Sequence, residues 1–262
     1  MNAFKLTHRA LMSNVIDDKI KLTQQLQLLS INQKLSYEAT QKIQKIPNPG
    51  RPKKPELVRF QSLPQRDKSD LGFIKTIHAI CHIEFNAINL ALDAVYRFQD
   101  MPKQFYQDWI KVAFEESQHF TLINNYLIEQ GYQYGDFKAH NGLWKMTVDT
   151  DYDVLTRMAL VPRVLEARGL DVTPKIQKRF MSSKFSAMVD ILDIIFFDEI
   201  NHVKTGNTWF HYFCKQRNIE PLSTFDKLVK KHIGSKLRGP FNIEARKLAN
   251  FSKQELEYLE RI

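Results

Sequence analysis

Cysteine and long apolar runs are scarce in this chain, and each scarcity excludes a class of protein. Its two cysteines, Cys81 and Cys214 among 262 residues, are too few for the disulfide framework of a small secreted domain. The longest apolar run, residues 191–197, is interrupted by Asp193 and falls far short of the roughly 18 residues that a transmembrane helix needs. Residues 1–21 lack the apolar stretch of a signal peptide. We therefore expect a cytoplasmic protein without membrane insertion.

The net charge of +9 is unevenly distributed along the chain. Residues 1–60 carry 11 basic and 4 acidic side chains, residues 215–262 carry 11 and 6, and residues 61–214 carry 16 and 19. Basic ends of this kind could bind RNA or an anionic substrate, or could simply keep the protein soluble. No aromatic-interleaved pattern of an RNA-binding module is present. Nucleic-acid binding therefore stays possible but is not favoured.

What the chain does contain is a doubled pattern of glutamate and histidine. Twice, a glutamate is followed 32 or 33 residues later by a Glu-x-x-His sequence, and the six residues are Glu84, Glu116, His119, Glu166, Glu199 and His202. One glutamate plus one Glu-x-x-His, present twice, is the ligand set of a carboxylate-bridged two-metal site in a four-helix bundle. The spacing suits a helical hairpin, because a chain that rises about 1.5 Å per residue returns to the same height after about thirty residues.

These residues fall on the apolar faces of predicted helices, in steps of three and four. The faces read Ile77, Cys81, Glu84, Ile88, Ala91, Val95; then Trp109, Val112, Glu116, His119, Ile123, Tyr126; then, less regularly, Leu155, Ala159, Pro162, Glu166, Gly169; and finally Met188, Leu192, Ile195, Glu199, His202, Gly206, Trp209, Phe213. Four buried carboxylates would each cost several kcal/mol and would repel one another. Protonation of the acids could relieve this cost, as could two divalent cations. Mixed carboxylate and imidazole ligands favour two iron ions or a manganese–iron pair.

Four helices of the bundle are predicted over residues 70–98, 103–130, 151–168 and 184–217. A longer helical stretch is predicted over 13–46, followed by a proline-rich arm or linker at 46–55. The aromatic stretch 131–150 is predicted as a long connection, a short segment follows Pro174, and short helices follow from residue 222. Pro162 should kink or locally open the third bundle helix, which could admit substrate or oxygen or could serve packing alone.

Other side chains near the ligands have two interpretations each. Glu115 and Asp198 could orient the ligand histidines through their outer ring nitrogens, or could be exposed acids. Arg163 and Arg168 could anchor an anionic substrate, but an internal ion pair, for instance with Asp171, is the favoured interpretation.

Aromatic and histidine side chains near the ligands are interpreted in the same way. Tyr126 and Trp209 are substrate-side or electron-relay candidates that fit core packing better. His78 and His82 lie off the face of Glu84, and we interpret them as ordinary or substrate-side residues rather than ligands.

The sequence resembles the ferritin-like family catalogued as domain of unknown function 455, over about residues 47–250. The matching stretches are Asn48-Pro-Gly-Arg-Pro, His82-Ile-Glu-Phe-Asn-Ala-Ile, Asp108-Trp-Ile-Lys-Val-Ala, Tyr134-Gly-Asp-Phe, Gly142-Leu-Trp, Leu160-Val-Pro-Arg-Val-Leu-Glu-Ala-Arg-Gly-Leu-Asp, Asp198-Glu-Ile-Asn-His-Val and Pro240-Phe-Asn. The resemblance implies an all-α, ferritin-like four-helix bundle with a long middle crossover and a two-metal site at the six residues above. It implies no substrate.

We therefore predict three regions: an N-terminal helix and arm (1–60), a ferritin-like two-metal bundle (61–217) and a helical extension packed on it (218–262). The leading functional prediction is an iron or manganese–iron oxidoreductase that uses dioxygen or peroxide to oxidise a small-molecule or nucleoside substrate. The alternatives are a metal-sequestering protein without turnover and a tRNA-modifying hydroxylase. A homo-oligomer stays possible.

Overall fold

The predicted all-helical character is confirmed by a computed structural model, which describes residues 1–39, 42–63, 65–234 and 237–261. Among these residues the regular structure is helical, and extended pairing is limited to the isolated bridges Asn2–Ser36 and Leu57–Ala139. The chain divides into two compact units, residues 1–149 and 150–262. The ferritin-like arrangement and the three predicted regions stay predictions.

The first unit contains five α-helices. They are α1 (Ala3–Met12), α2 (Ile16–Ile31), α3 (Asp70–Arg97), α4 (Lys103–Glu129) and α5 (Gly142–Asp149). Helix α3 packs against α1, α4 and α5, and α2 packs against α4. Because α3 has neighbours on several sides, almost all of its residues from Gly72 onwards are buried, which makes it the central helix of this unit.

Helices α3 and α4 confirm the first two predicted bundle helices to within one residue at each end. Ser69 caps α3, since its hydroxyl oxygen accepts a hydrogen bond from the backbone N–H of Gly72 at 3.1 Å. Pro102 immediately precedes α4, where its missing backbone N–H removes no hydrogen bond from the helix. Both apolar faces predicted for these helices are buried throughout.

The prediction of one helix over 13–46 was wrong beyond Ile31, although residues 40 and 41 lie outside the described part of the chain. The helix ends because Gln33 adopts a left-handed conformation with φ of 54°. The backbone N–H of Lys34 then donates to the carbonyl of Leu29 at 2.9 Å, which is the bond of a Schellman cap. Helix α1, which the sequence analysis missed, begins at its own side-chain cap, Asn2.

Lys19 connects the end of α1 to the central helix. Its ammonium group is 1% exposed and donates three hydrogen bonds of 2.8 Å, to the carbonyls of Ala10 and Leu11 and to Oδ1 of Asn89. Burial lowers the pKa of Lys19 to about 7. Carbonyls at a helix C-terminus lack intrahelical donors, so this lysine supplies donors that α1 itself lacks.

The proline-rich segment is an ordered arm of the first unit. The backbone N–H of Gly50 donates to the carbonyl of Leu11 at 2.9 Å, and the indole N–H of Trp144 donates to the carbonyl of Pro47 at 3.0 Å. A side chain at Gly50 would meet the backbone of Met12 at 2.2 Å. Glycine is therefore required where the arm crosses the end of α1.

The second unit contains six α-helices within the residues described. They are α6 (Val154–Leu160), α7 (Ala167–Met181), α8 (Met188–Gln216), α9 (Pro221–Ile233), α10 (Ile243–Leu248) and α11 (Lys253–Arg261). Helix α8 corresponds to the fourth predicted bundle helix but begins four residues later. The prediction of a separate short segment after Pro174 was wrong, because this proline lies inside α7.

A π-helical segment, Val161–Glu166, joins α6 to α7. It confirms the predicted local opening at Pro162, which lacks a backbone N–H and disfavours the ordinary helical pattern. The third predicted bundle helix is thus divided into α6, the π-helical segment and α7, and it continues to Met181 rather than ending near residue 168. No helix in the described residues is long and apolar enough to span a membrane.

Candidate metal centre

Three of the six predicted ligands come together in the first unit. Glu84 on α3 and Glu116 and His119 on α4 place one potential ligand atom each within 4.8 Å of one another. Nδ1 of His119 lies 3.2 Å from Oε2 of Glu116 and 3.4 Å from Oε2 of Glu84. Hairpin packing of α3 on α4 produces this geometry, as the 32-residue spacing predicted.

The three side chains are buried, with exposed fractions of 4% for Glu84, 0% for Glu116 and 1% for His119. Burial raises the pKa of Glu84 well above its usual range, and the neighbouring charge of Glu116 raises it further, against the opposing effect of His119. A divalent cation between the carboxylates would remove this repulsion. The donor set of two carboxylates and one imidazole therefore fits an iron or manganese ion.

The second unit contains the other three predicted ligands. Glu199 and His202 are buried on α8, and Nδ1 of His202 lies 3.8 Å from Oε1 of Glu199. Glu166 is the last residue of the π-helical segment and is partly buried. The joint role of these three residues as ligands stays a prediction.

The π-helical segment packs against α8 at a glycine. A Cβ atom added at Gly206 would lie 2.3 Å from both Cβ and Cγ of Pro162. A proline ring has no rotamer that would move it away, so the contact fixes how the two elements approach each other. Gly206 is one turn beyond His202 and Pro162 is one turn before Glu166, so the contact lies near two predicted ligands in sequence.

Replacing Gly206 with alanine is expected to lower the free energy of unfolding by about 1–3 kcal/mol, as overpacking usually does. The matched control is Gly169→Ala in α7, where an added Cβ would meet no atom within 4 Å. That change should be neutral or stabilising by up to about 1 kcal/mol, since alanine favours a helix over glycine. Urea unfolding of both variants measures the difference, and equal stabilities would contradict the close packing.

The predicted neighbours of the ligands have separate positions. Glu115 lies on α4 with Lys111 Nζ at 3.5 Å from its carboxylate. Asp198 is partly buried on α8. Tyr126 and Trp209 are 7% and 6% exposed, as core packing requires. The orienting role of the two acids and the relay role of the two aromatic residues stay predictions.

The two arginines near Glu166 are held by internal contacts. Arg163 is fully buried, and its Nη2 donates to Oε1 of Glu255 at 2.5 Å. The guanidinium carbon lies 4.2 Å from the ring centre of Phe210 and 4.5 Å from that of Phe225. This is the favoured internal ion pair, although its partner is Glu255 rather than Asp171.

Asp171 itself accepts two hydrogen bonds from Arg246, at 2.9 and 2.7 Å. Arg168 is half exposed; its Nη1 donates to the carbonyl of Arg238 at 3.1 Å and lies 3.7 Å from Oδ2 of Asp171, which is the favoured internal ion pair for this arginine. No local pattern in the sequence indicates the partners from α10 and α11, because they lie more than 70 residues further along the chain. Complementary charge alone does not identify a partner at such distances.

Comparison with known proteins confirms the resemblance to domain of unknown function 455, whereas the ferritin-like assignment stays a prediction. Residues 12–257 match the family described as protein of unknown function DUF455. The chain belongs to this family. A relative from Haemophilus influenzae, described as an uncharacterized protein, is 47% identical over 216 residues, which cover 79% of this chain and 75% of the relative. No solved structure matches the chain.

Membership in the family covers both units, since the match runs from the end of α1 to the last turns of α11. All six predicted ligands lie inside it. The family description supplies no substrate or reaction, so the chemistry has to be argued from the side chains themselves.

Proposed function

We propose that the protein is an oxidoreductase with two iron ions, or one manganese and one iron, that uses dioxygen or peroxide to oxidise an organic substrate. The observation that carries the proposal is the buried cluster of Glu84, Glu116 and His119. Two nearly inaccessible carboxylates facing one imidazole are costly without a cation.

The doubled sequence pattern supports a second set of ligands of the same composition. In the proposal, Glu166, Glu199 and His202 complete the site, so that four carboxylates balance two divalent cations. The π-helical segment that ends at Glu166 is also consistent with it, because such segments occur frequently at functional sites. The pairing of the two sets is inferred from the matched spacings of 32 and 33 residues.

Each residue of the first set has a defined task in this proposal. Nδ1 of His119 faces both carboxylates and would be its coordinating nitrogen in the neutral imidazole. Glu84 and Glu116 would supply oxygen ligands and balance charge. The buried faces of α3 and α4 exclude water, which strengthens these electrostatic interactions. When bound, the metal pair would supply the electron transfer to oxygen.

The proposal is tested by loading the protein with Fe(II) under anaerobic conditions and then measuring its uptake of oxygen. We expect rapid consumption of oxygen when air-saturated buffer is added, and further turnover when a reductant is present. Protein loaded with Zn(II), which occupies similar ligands but has no redox chemistry, is the control and should consume none.

The outcome also separates the alternatives. If the bound iron is oxidised once and no reductant or substrate produces further turnover, the result would favour metal sequestration. It would contradict the proposal of an oxidoreductase. RNA modification predicts RNA that copurifies and dissociates steeply with salt. A protein that retains neither iron nor manganese would overturn the proposal.

A further inference from the structure

A buried tyrosine forms a hydrogen-bonded pair with a histidine of α3, the helix that carries Glu84. The phenolic oxygen of Tyr134 lies 2.8 Å from Nδ1 of His82. Tyr134 lies in the connection between α4 and α5, whereas His82 lies on α3, two residues before Glu84. Both side chains are buried, with exposed fractions of 9% and 7%.

The direction of this hydrogen bond depends on the tautomer of His82. Nε2 lies 3.1 Å from the carbonyl oxygen of His140, which can only accept, and 3.1 Å from the side-chain amide nitrogen of Asn86, which can only donate. The same amide nitrogen also donates to the backbone carbonyl of His82 at 2.8 Å. We assign the tautomer in which Nε2 donates to His140 and Nδ1 accepts from the hydroxyl of Tyr134.

The pair is surrounded by aromatic side chains that adjoin the ligands. The ring centre of Tyr134 lies 5.3 Å from that of Phe85 and 5.2 Å from that of Phe120. Phe85 follows Glu84 in the sequence and Phe120 follows His119. Tyr134 thus packs against residues of both α3 and α4 that adjoin ligand residues in the sequence.

Two other buried tyrosines of this unit are hydrogen-bonded to the backbone instead of to a histidine. The hydroxyl oxygens of Tyr106 and Tyr96 accept hydrogen bonds from the backbone N–H groups of Met101 and Gln44. A phenol that loses an electron becomes a strong acid and needs a base already in place to take its proton. Tyr134 has one in a dry site, and burial raises the pKa of its hydroxyl well above the usual value, so the proton stays on oxygen until oxidation.

From this geometry, and resting on the function proposed above, we propose that Tyr134 is a redox-active tyrosine that exchanges one electron with the metal centre. In the oxidation step Tyr134 loses one electron and a metal ion in its higher oxidation state gains it. The O–H bond of Tyr134 breaks and an N–H bond forms at Nδ1 of His82. The products are a neutral tyrosyl radical, an imidazolium that still donates from Nε2 to His140, and a metal ion reduced by one electron.

Photo-oxidation of the metal-free protein tests the pair independently of any metal. Tris(bipyridine)ruthenium(III), generated by a flash, removes one electron from the protein, and the sample is frozen for electron paramagnetic resonance. We expect a neutral tyrosyl radical in the wild type, loss of that radical in Tyr134→Phe, and retention in the matched control Tyr106→Phe. A radical that survives in Tyr134→Phe would overturn the proposal.

The partner residue is tested by the same measurement in His82→Phe, which keeps a ring but removes both nitrogens. In deuterated buffer, electron–nuclear double resonance should show an exchangeable deuteron between the Tyr134 radical and nitrogen in the wild type, and its loss in His82→Phe. Nitrogen chemical shifts in the resting protein should show Nδ1 of His82 without hydrogen. A protonated Nδ1 there would contradict the direction of the bond.

Iron-loaded protein tests the destination of the electron. Freeze-quenched samples exposed to oxygen should give the same radical, again absent from Tyr134→Phe. Iron that binds and is oxidised without producing the radical, in protein where photo-oxidation does produce it, would overturn the exchange with the metal centre. Protein that binds no iron would instead overturn the proposed function, while the photo-oxidation still decides whether Tyr134 and His82 are a redox pair.

Discussion

Replacing Glu116 with alanine is expected to abolish metal binding, reducing the content from about two ions per chain to a trace, as a bundle site of this ligand set requires. Glu116 is fully buried, and its Oε2 lies 3.2 Å from Nδ1 of His119. Its removal leaves one carboxylate and one imidazole in the first unit, too few to hold an ion tightly. Elemental analysis of anaerobically purified protein measures the iron and manganese content.

The matched control for this substitution is Glu129→Ala, on the same helix but exposed to solvent. It should retain the wild-type metal content. Because buried carboxylates destabilise the metal-free protein, the Glu116 variant should remain folded in urea titrations at least as well as the metal-free wild type. Wild-type metal content in Glu116→Ala would contradict the assignment of this residue as a ligand.

Replacing Glu255 with alanine is expected to lower the free energy of unfolding by about 3–5 kcal/mol, the usual cost of removing one partner of a buried ion pair. The change would leave the guanidinium of Arg163 buried without its counterion. It would also remove the acceptor of the Ser252 N–H, 2.8 Å away, and the neighbour of His211 Nε2 at 3.3 Å. Urea unfolding at neutral pH measures this loss.

Glu257→Ala is the control in the same helix, α11. Its carboxylate is 42% exposed and its partners, Lys253 and Arg261, are exposed surface cations. Such pairs contribute about 0–1 kcal/mol. If the two substitutions destabilise the protein equally, the buried pair of Arg163 and Glu255 does not have the stabilising role inferred for it.

The pH dependence of stability should differ between the wild type and Glu255→Gln. Burial alone would raise the pKa of Glu255, but the hydrogen bond from His211 and the charge of Arg163 outweigh it and hold the pKa well below its usual value. The stabilisation is therefore complete above the unfolded pKa near 4.5 and is lost as the pH falls towards the lower folded pKa. Over that range the wild type should lose more stability than the variant.

The sequence predicted helices α3 and α4 and the cluster of Glu84, Glu116 and His119 because several local signals in these helices agree with one another. Ser69 and Pro102 mark the helix starts, apolar residues recur in steps of three and four, and the hairpin brings the Glu84 and Glu116 levels together. These signals involve residues that are close in sequence or are joined by one short turn. They can therefore be recognised in the sequence without knowledge of the remaining fold.

Features that depend on distant contacts were not predictable in the same way. Arg163 pairs with Glu255 rather than with Asp171 because of where α11 packs. The spacing of apolar residues along the chain does not indicate that position. The hydrogen bond between Tyr134 and His82 spans 52 residues, so no local pattern indicates it. The left-handed conformation of Gln33, which ends α2, is also uncommon for glutamine. The residues around Gln33 do not predict it.

Helix α1 has a practical consequence for the choice of recombinant fragments. The family match begins at residue 12, so a fragment trimmed to it would omit nearly the whole helix. Phe4, Leu6 and Leu11 would no longer cover their neighbours, and the ammonium group of Lys19 would lose two of its three acceptors. A fragment cut at the boundary of the family match would in this way expose an apolar surface of α3, the helix that carries Glu84.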